Sequence, residues 1–204
     1  YLLCAITLKI ESDLGRSHMS HAQVLLKNYN PSSIQESVYK NMMLDFVQHN
    51  PDAFLRSSTM GHFTASAWIL NQTLDKALLM HHRKLNKWLQ LGGHCDGDDN
   101  LIRVAHKEAQ EESGIDQINM LSDTIFDIDI HLIPARTHEP MHYHYDVRFL
   151  FQTLDSIPLI INHESRGLAW VKFDDIHTLT EENSVLRMAY KSKNLEITIP
   201  EAIS

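Results

Sequence analysis

Apolar positions recur at helical spacing early in the chain and at strand spacing later. Ile34, Val38 and Met42 stand four residues apart, with Met43, Phe46 and Val47 filling out the same broad face. That pattern predicts an amphipathic helix inside a helical segment spanning 20–58. Pro31-Ser32-Ser33 starts the helix and Asn50-Pro51 ends it. From about residue 62 the pattern becomes strand-like. Residues 62–70 and 76–81 are short apolar runs joined by residues 71–75, which reads as a hairpin. Trp88-Leu89-Gln90 leads directly into Gly92-Gly93. Residues 126–132 and 142–149 alternate apolar with polar, as half-buried strands do. Trp170-Val171-Lys172 predicts another strand, and Thr180 or a neighbour caps a final helix carrying Val185, Leu186, Met188 and Ala189. Strands interleaved with helices predict an α/β (α+β) sandwich, with helices on both faces of a mixed sheet.

A chain of 204 residues can bury a full core. Its 43% hydrophobic and 22% charged content suits a soluble globular protein. The net charge of −8 and the absence of basic patches argue against a nucleic-acid partner. No apolar run is long enough for a membrane span. Two cysteines, Cys4 and Cys95, give no disulfide framework, so a reducing cytoplasm is the expected location. Gly15-Arg16-Ser17-His18-Met19 reads as a cloning junction, which makes 1–18 a leader and Met19-Ser20 the natural start. Residues 19–58 are then an N-terminal helical extension that shields a sheet edge, caps a pocket or mediates a homodimer, shielding being the plainest role. Residues 59–204 form the main domain.

The chemistry concentrates in residues 92–115. A glycine turn runs into a helix carrying Glu108, Glu111 and Glu112, which fall within an arc of roughly 100°. Leu101, Ile102, Ala105 and Ala109 form the helix's apolar stripe. Glu112 projects beside that stripe and Glu108 lies at its edge. Asp99 or Asn100 is the expected N-cap and Gly114 the stop. Carboxylates this close repel one another and, next to a buried face, need a compensating charge. A hard cation such as Mg²⁺ supplies one, and a solvated acidic face is the plain alternative.

The same segment resembles the signature of the Nudix hydrolases, G-x5-E-x7-R-E-U-x-E-E-x-G-U, where U is a bulky aliphatic residue. Gly93 opens it; Glu108, Glu111, Glu112, Gly114 and Ile115 fall in register without insertion. Asp99 replaces the first glutamate, Lys107 the arginine, and Ala109 the first aliphatic residue. Lys107 keeps the charge but not the planar two-pronged grip of arginine. The run His62-Phe63-Thr64-Ala65-Ser66-Ala67 and the leading helices are similar to one bacterial subgroup of the family.

The resemblance implies an α/β/α sandwich from about residue 60 and hydrolysis of a nucleoside diphosphate linked to a group X, a small-molecule partner. It implies Mg²⁺, with Mn²⁺ as a substitute, held by Glu108, Glu111, Glu112 and the Gly93 carbonyl. Glu108 or Glu112 is the first choice of base, and Glu164, six residues before Trp170, the second. Lys107 is expected to orient a carboxylate of the signature, and Cys95 to be a small buried thiol rather than a nucleophile. His142, His144, Asp146 and Arg148 share one strand face, as do Asp127, Asp129 and His131. If the two strands are neighbours, they form either a substrate wall, with Arg148 gripping phosphate, an extra metal site, or a polar face tied by internal salt bridges. His81-His82-Arg83-Lys84 is expected in an exposed loop. A non-catalytic nucleotide sensor is the main alternative function, and an isomerase of isopentenyl diphosphate type the last.

Overall fold

The computed structural model describes residues 19–136 and 140–195. The leader expected over 1–18 lies outside the described residues. Two helices come first, α1 (His21–Asn28) and α2 (Ile34–His49). Ser20 and Ser33 cap them, each accepting a hydrogen bond from the backbone N–H three residues on. Then follow β1 (Gly61–Leu70), β2 (Lys76–His82), β3 (Lys87–Leu89), β4 (Leu91–His94), α3 (Leu101–Ser113), β5 (Asn119–Met120), β6 (Asp127–Ile133), β7 (His142–Gln152), β8 (Ser165–Lys172), a 3₁₀ turn (Ile176–Thr178) and α4 (Asn183–Lys193).

The strands form one mixed, curled sheet, and β1 is its spine. It runs parallel to β7 along its whole length, Gly61 opposite Tyr143 through Leu70 opposite Gln152. Its other edge pairs antiparallel with β4 and then, at Leu70, with β2. β2 carries β3 and β8; β7 carries β5 and β6. Alternation splits β1 cleanly. Phe63, Ala65, Ala67 and Ile69 join a core with α1, α2 and α3 residues Leu26, Phe46, Leu101 and Ala105. Trp68 and Leu70 face the opposite way, into a core with Val185, Met188 and Ala189 of α4. The result is an α+β sandwich with helices on both sheet faces. No described helix is long and apolar enough to cross a membrane.

Three expectations are corrected. On α2, Ile34, Val38 and Met42 face solvent, Ile34 at 86% exposure, while Glu36, Met43 and Phe46 are buried. The stripe fails because Glu36 is drawn inward by Lys191 of α4 at 2.9 Å, the Tyr29 hydroxyl at 2.6 Å and both Ser32 donors. The helix therefore turns Glu36, Met43 and Phe46 inward and leaves the Ile34, Val38 and Met42 part of its apolar face to solvent. At α4 the cap falls not on Thr180 but on nearby Glu182, without a side-chain cap bond, and Thr180 Oγ1 accepts instead from Glu182 N–H at 3.3 Å. His81 and His82 lie within β2, so only Arg83 and Lys84 of that run are in the loop.

Candidate functional site

The glycine turn positions the acids through sheet register. Gly93 pairs with Ala65 and faces α3, whereas His94 pairs with Thr64 and faces the other way. A Cβ on Gly93 would stand 2.6 Å from Glu108 Cδ, so only glycine leaves the carboxylate room to cover the turn. Gly92 N–H donates to Glu112 Oε2 at 2.8 Å, which ties the helix acid to β4. Asn100 caps α3 through its side chain, and Gly114 ends it in the left-handed conformation at φ 72°. Both ends of the acid-bearing helix were therefore set by local sequence.

Along α3 the acids step from core to solvent. Glu112 is buried at 3% exposure, Glu108 half-buried, and Glu111 exposed. Glu164 joins them from the loop between β7 and β8. Three contacts on α3 and its end hold that loop: Ile160 packs where a Gly114 side chain would be, Ile160 N–H donates to Ser113 O, and Asn162 donates to Glu111 O. The Asn162 side chain then accepts from Glu164 N–H at 2.9 Å. Burial, and then repulsion from Glu108, Glu164 and Glu111, raises Glu112 to about 8 against a single hydrogen bond that lowers it. Burial also raises Glu108, with Glu111 and Glu164 adding repulsion and Lys107 opposing it.

Lys107 reaches Glu111 at 3.5 Å and Glu108 at 3.8 Å while remaining exposed, a loose clamp of small electrostatic value. Asp99 accepts from His21 N–H at the start of α1, at 3.3 Å. Cys95 is buried, and burial together with nearby Asp146 raises its thiol, which disfavours the thiolate a nucleophile needs.

β6 and β7 are neighbours, with Asp127 opposite Arg148 and His131 opposite His144. Their shared face is two different environments. At one end Arg148 is 2% exposed and its guanidinium is taken by Asp146 at 2.7 Å and Asp127 at 3.0 Å. Arg187 and Lys191 of α4 close the same network on Asp127. At the other end stand histidines: His62 lies 4.8 Å from His144 and 4.9 Å from His142 between ring centroids, and His94 5.0 Å from His62 and from His144. Burial, then neighbouring imidazoles, lowers His144 to about 2; burial and Arg56 lower His94 to about 4.

His62, His94 and Arg56 escaped the sequence reading, whereas Asp146 was expected only as part of the polar face of its strand. His62 and His94 are brought to His142 and His144 only by the β7–β1–β4 register. Asp146 accepts from Thr64, Ser66, Gln90 and Arg148 and organises the strand junction. Arg56 grips Asp96 at 2.5 Å and 3.0 Å beside the glycine turn. The polar sequence His62-x-Thr64-x-Ser66 in an otherwise apolar strand was the one available signal.

The donors suit a hard divalent cation. They are oxygens only, all acidic, and two are forced above their ordinary values by burial and then by mutual repulsion, the strain such a charge relieves. The glycine turn beneath Glu108 adds a backbone carbonyl oxygen to the set.

A family model described as NUDIX domain matches residues 60–190. Comparison with curated protein sequences gave no match. Among solved structures, the chain is similar to an Ap4A hydrolase of C. elegans in a binary complex, at 16% identity and TM-score 0.53, over 65% of this chain and 95% of that one. It is similar also to the dihydroneopterin triphosphate pyrophosphohydrolase of E. coli, at 14% identity and TM-score 0.53, over 65% and 96%. A Nudix-family hydrolase from Clostridium perfringens aligns at 24% identity and TM-score 0.50, over 66% and 98%. At these identities the structures speak for the fold, whereas the family match spans most of the chain and contains the glycine turn, α3 and Glu164. The chain belongs to the Nudix hydrolase family.

Proposed function

We propose that this enzyme hydrolyses the phosphoanhydride of a nucleoside diphosphate linked to X, using Mg²⁺ or, in its place, Mn²⁺. The observation that carries this reading is the gathering of Glu108, Glu111, Glu112 and Glu164 into one electrostatically coupled group over a glycine turn. A structural helix gains nothing from that repulsion; a site for a cation and a polyphosphate does. The Gly93 carbonyl and the three helix glutamates would hold the ion. When bound, it neutralises charge on the phosphate oxygens as a Lewis acid.

The chain's own groups do the rest. Glu112 fixes the turn through Gly92 N–H, so the donors are held before substrate arrives. A carboxylate orients a water and takes its proton as the water oxygen bonds to one phosphorus. The bond from that phosphorus to the bridging oxygen breaks, and the other phosphate departs. Glu112 and Glu108 are the first candidates for the base and Glu164 the second. Lys107 restrains Glu108 and Glu111. His144, beside His94, and its neighbour His142 stand on the other side of β4 from Glu108, and Arg148 is paired with Asp127, Asp129 and Asp146, so substrate contact through them would require rearrangement. Arg56, exposed beside Asp96, is the better placed cation for a phosphate.

The test is turnover on a panel comprising ADP-ribose, dinucleoside polyphosphates, NADH, nucleotide sugars, coenzyme A and oxidised nucleoside triphosphates, with Mg²⁺ or Mn²⁺. Hydrolysis of at least one, abolished by chelation and lowered at least about 100-fold in Glu112→Gln, is the expected result. Tight nucleotide binding without turnover anywhere on the panel would favour a sensor.

A further inference from the structure

We propose that His62, His142 and His144 form a second cation site, separate from the box carboxylates, which takes a borderline transition ion of the Zn²⁺ class through three imidazole nitrogens. One ligand nitrogen from each lies within 4.8 Å of the other two. His142 Nε2 and His144 Nε2 are 3.2 Å apart, close to the roughly 3.3 Å between two nitrogens on a tetrahedral Zn²⁺ at 2.0–2.1 Å. Imidazole nitrogens select Zn²⁺, Cu²⁺, Ni²⁺ or Co²⁺ over Mg²⁺, which prefers oxygen.

The supporting groups match. His142 Nδ1 lies 2.8 Å from the Pro140 carbonyl, which can only accept, so Nδ1 carries the proton and Nε2 presents a lone pair toward His144. Without an ion, His144 Nε2–H donates to that lone pair; on binding, the proton moves to His144 Nδ1. His62 and His142 are buried and His144 half-buried, on strands whose parallel register places His62 opposite His144. Rigid strands hold the donors, and loops do not. His94 and His131 flank the trio at 5.0 Å and 5.3 Å from His144, and Asp129 approaches His131 at 3.4 Å. The two cation sites lie on opposite faces of β4, since His94 points away from the side on which Glu108 covers Gly93.

Zn²⁺ is the probe. Metal-free protein equilibrated with Zn²⁺ under a large excess of Mg²⁺ should keep one Zn²⁺ per chain. His142→Gln and His144→Gln should each weaken it by more than the roughly 10- to 100-fold that loss of a supporting hydrogen bond brings. The double variant Glu108→Gln/Glu112→Gln should retain it, which separates this site from the hydrolytic one. In wild-type protein, Co²⁺ should shift the ring-proton resonances of His62, His142 and His144 most strongly, a readout independent of how the variants fold. Displacement of Zn²⁺ by Mg²⁺, loss of Zn²⁺ in the glutamate variant alone, or Co²⁺ shifts that spare the histidine rings would each overturn the proposal.

Discussion

Glu112 and Glu164 reach the same electrostatic field by different routes, and the difference is testable residue by residue. Glu112 is 3% exposed and hydrogen-bonded to β4; Glu164 rides on a loop with a side chain 44% exposed. A fixed, desolvated carboxylate loses more on neutralisation than a mobile, hydrated one. Glu112→Gln should therefore lower kcat further than Glu164→Gln; the reverse order would make Glu164 the base. The same residues predict a thermal signature. Mg²⁺ at 100 times its Kd should add roughly 2.7 kcal/mol to wild-type stability, a rise in Tm of about 5–10 °C. Glu108→Gln/Glu112→Gln should show no such rise in a melting experiment.

At the scale of elements, β4 carries two adjacent glycines with different duties. A Cβ on Gly92, at φ 155°, would meet Ser66 Cα at 2.6 Å and Ala65 O at 2.7 Å, both backbone atoms that cannot swing aside. The nearest atoms to a Cβ on Gly93 all belong to the flexible side chain of Glu108. Gly92→Ala should thus lower Tm sharply, whereas Gly93→Ala should fold normally but bind Mg²⁺ weakly. Equal melting temperatures for the two would refute this division. Helix α2 gives a second contrast. Replacing Ile34, Val38 and Met42 with glutamine should change stability by less than about 0.5 kcal/mol each, since all three face solvent. Phe46→Ala should lose roughly 3–5 kcal/mol, because its ring stacks on Tyr145 at 4.2 Å within the core. Denaturant titrations separate these outcomes.

For the molecule as a whole, the N-terminal helices belong to the sandwich they precede. Leu26, Met43 and Phe46 share one core with β1 and α3, and Glu36 reaches past β6 to Arg187 and Lys191 of α4. Burial would raise Glu36, but hydrogen bonds from Tyr29, Ser32 and Lys191 hold it at about 2, against an ordinary 4.5. The charged groups facing it are Lys191 and Arg187 of α4 and, beyond them, Asp127 of β6. A depressed carboxylate contributes its stability above the unfolded value and loses it as pH falls. Wild type should therefore exceed Glu36→Gln by roughly 3 kcal/mol near neutrality, and the gap should close between about pH 4.5 and 2. A gap that persists to pH 2 would show that the side chain acts by packing and not by charge.

Local order decided what could be read early. The glycine turn, the Asn100 cap, the Gly114 stop and the acid spacing on α3 depend on neighbours within a few residues, so the linear chain alone specified that helix and its carboxylates. A short apolar run likewise marked β1, and period-two alternation marked β6 and β7. What required folding was every meeting between distant segments. Strand register gathered His62 and His94 to His142 and His144, the β7–β8 loop carried Glu164 to α3, and ion pairs with α4 overrode the hydrophobic stripe of α2. A buried charge seeks its partner across space, and neither periodicity nor motif spacing encodes where that partner lies.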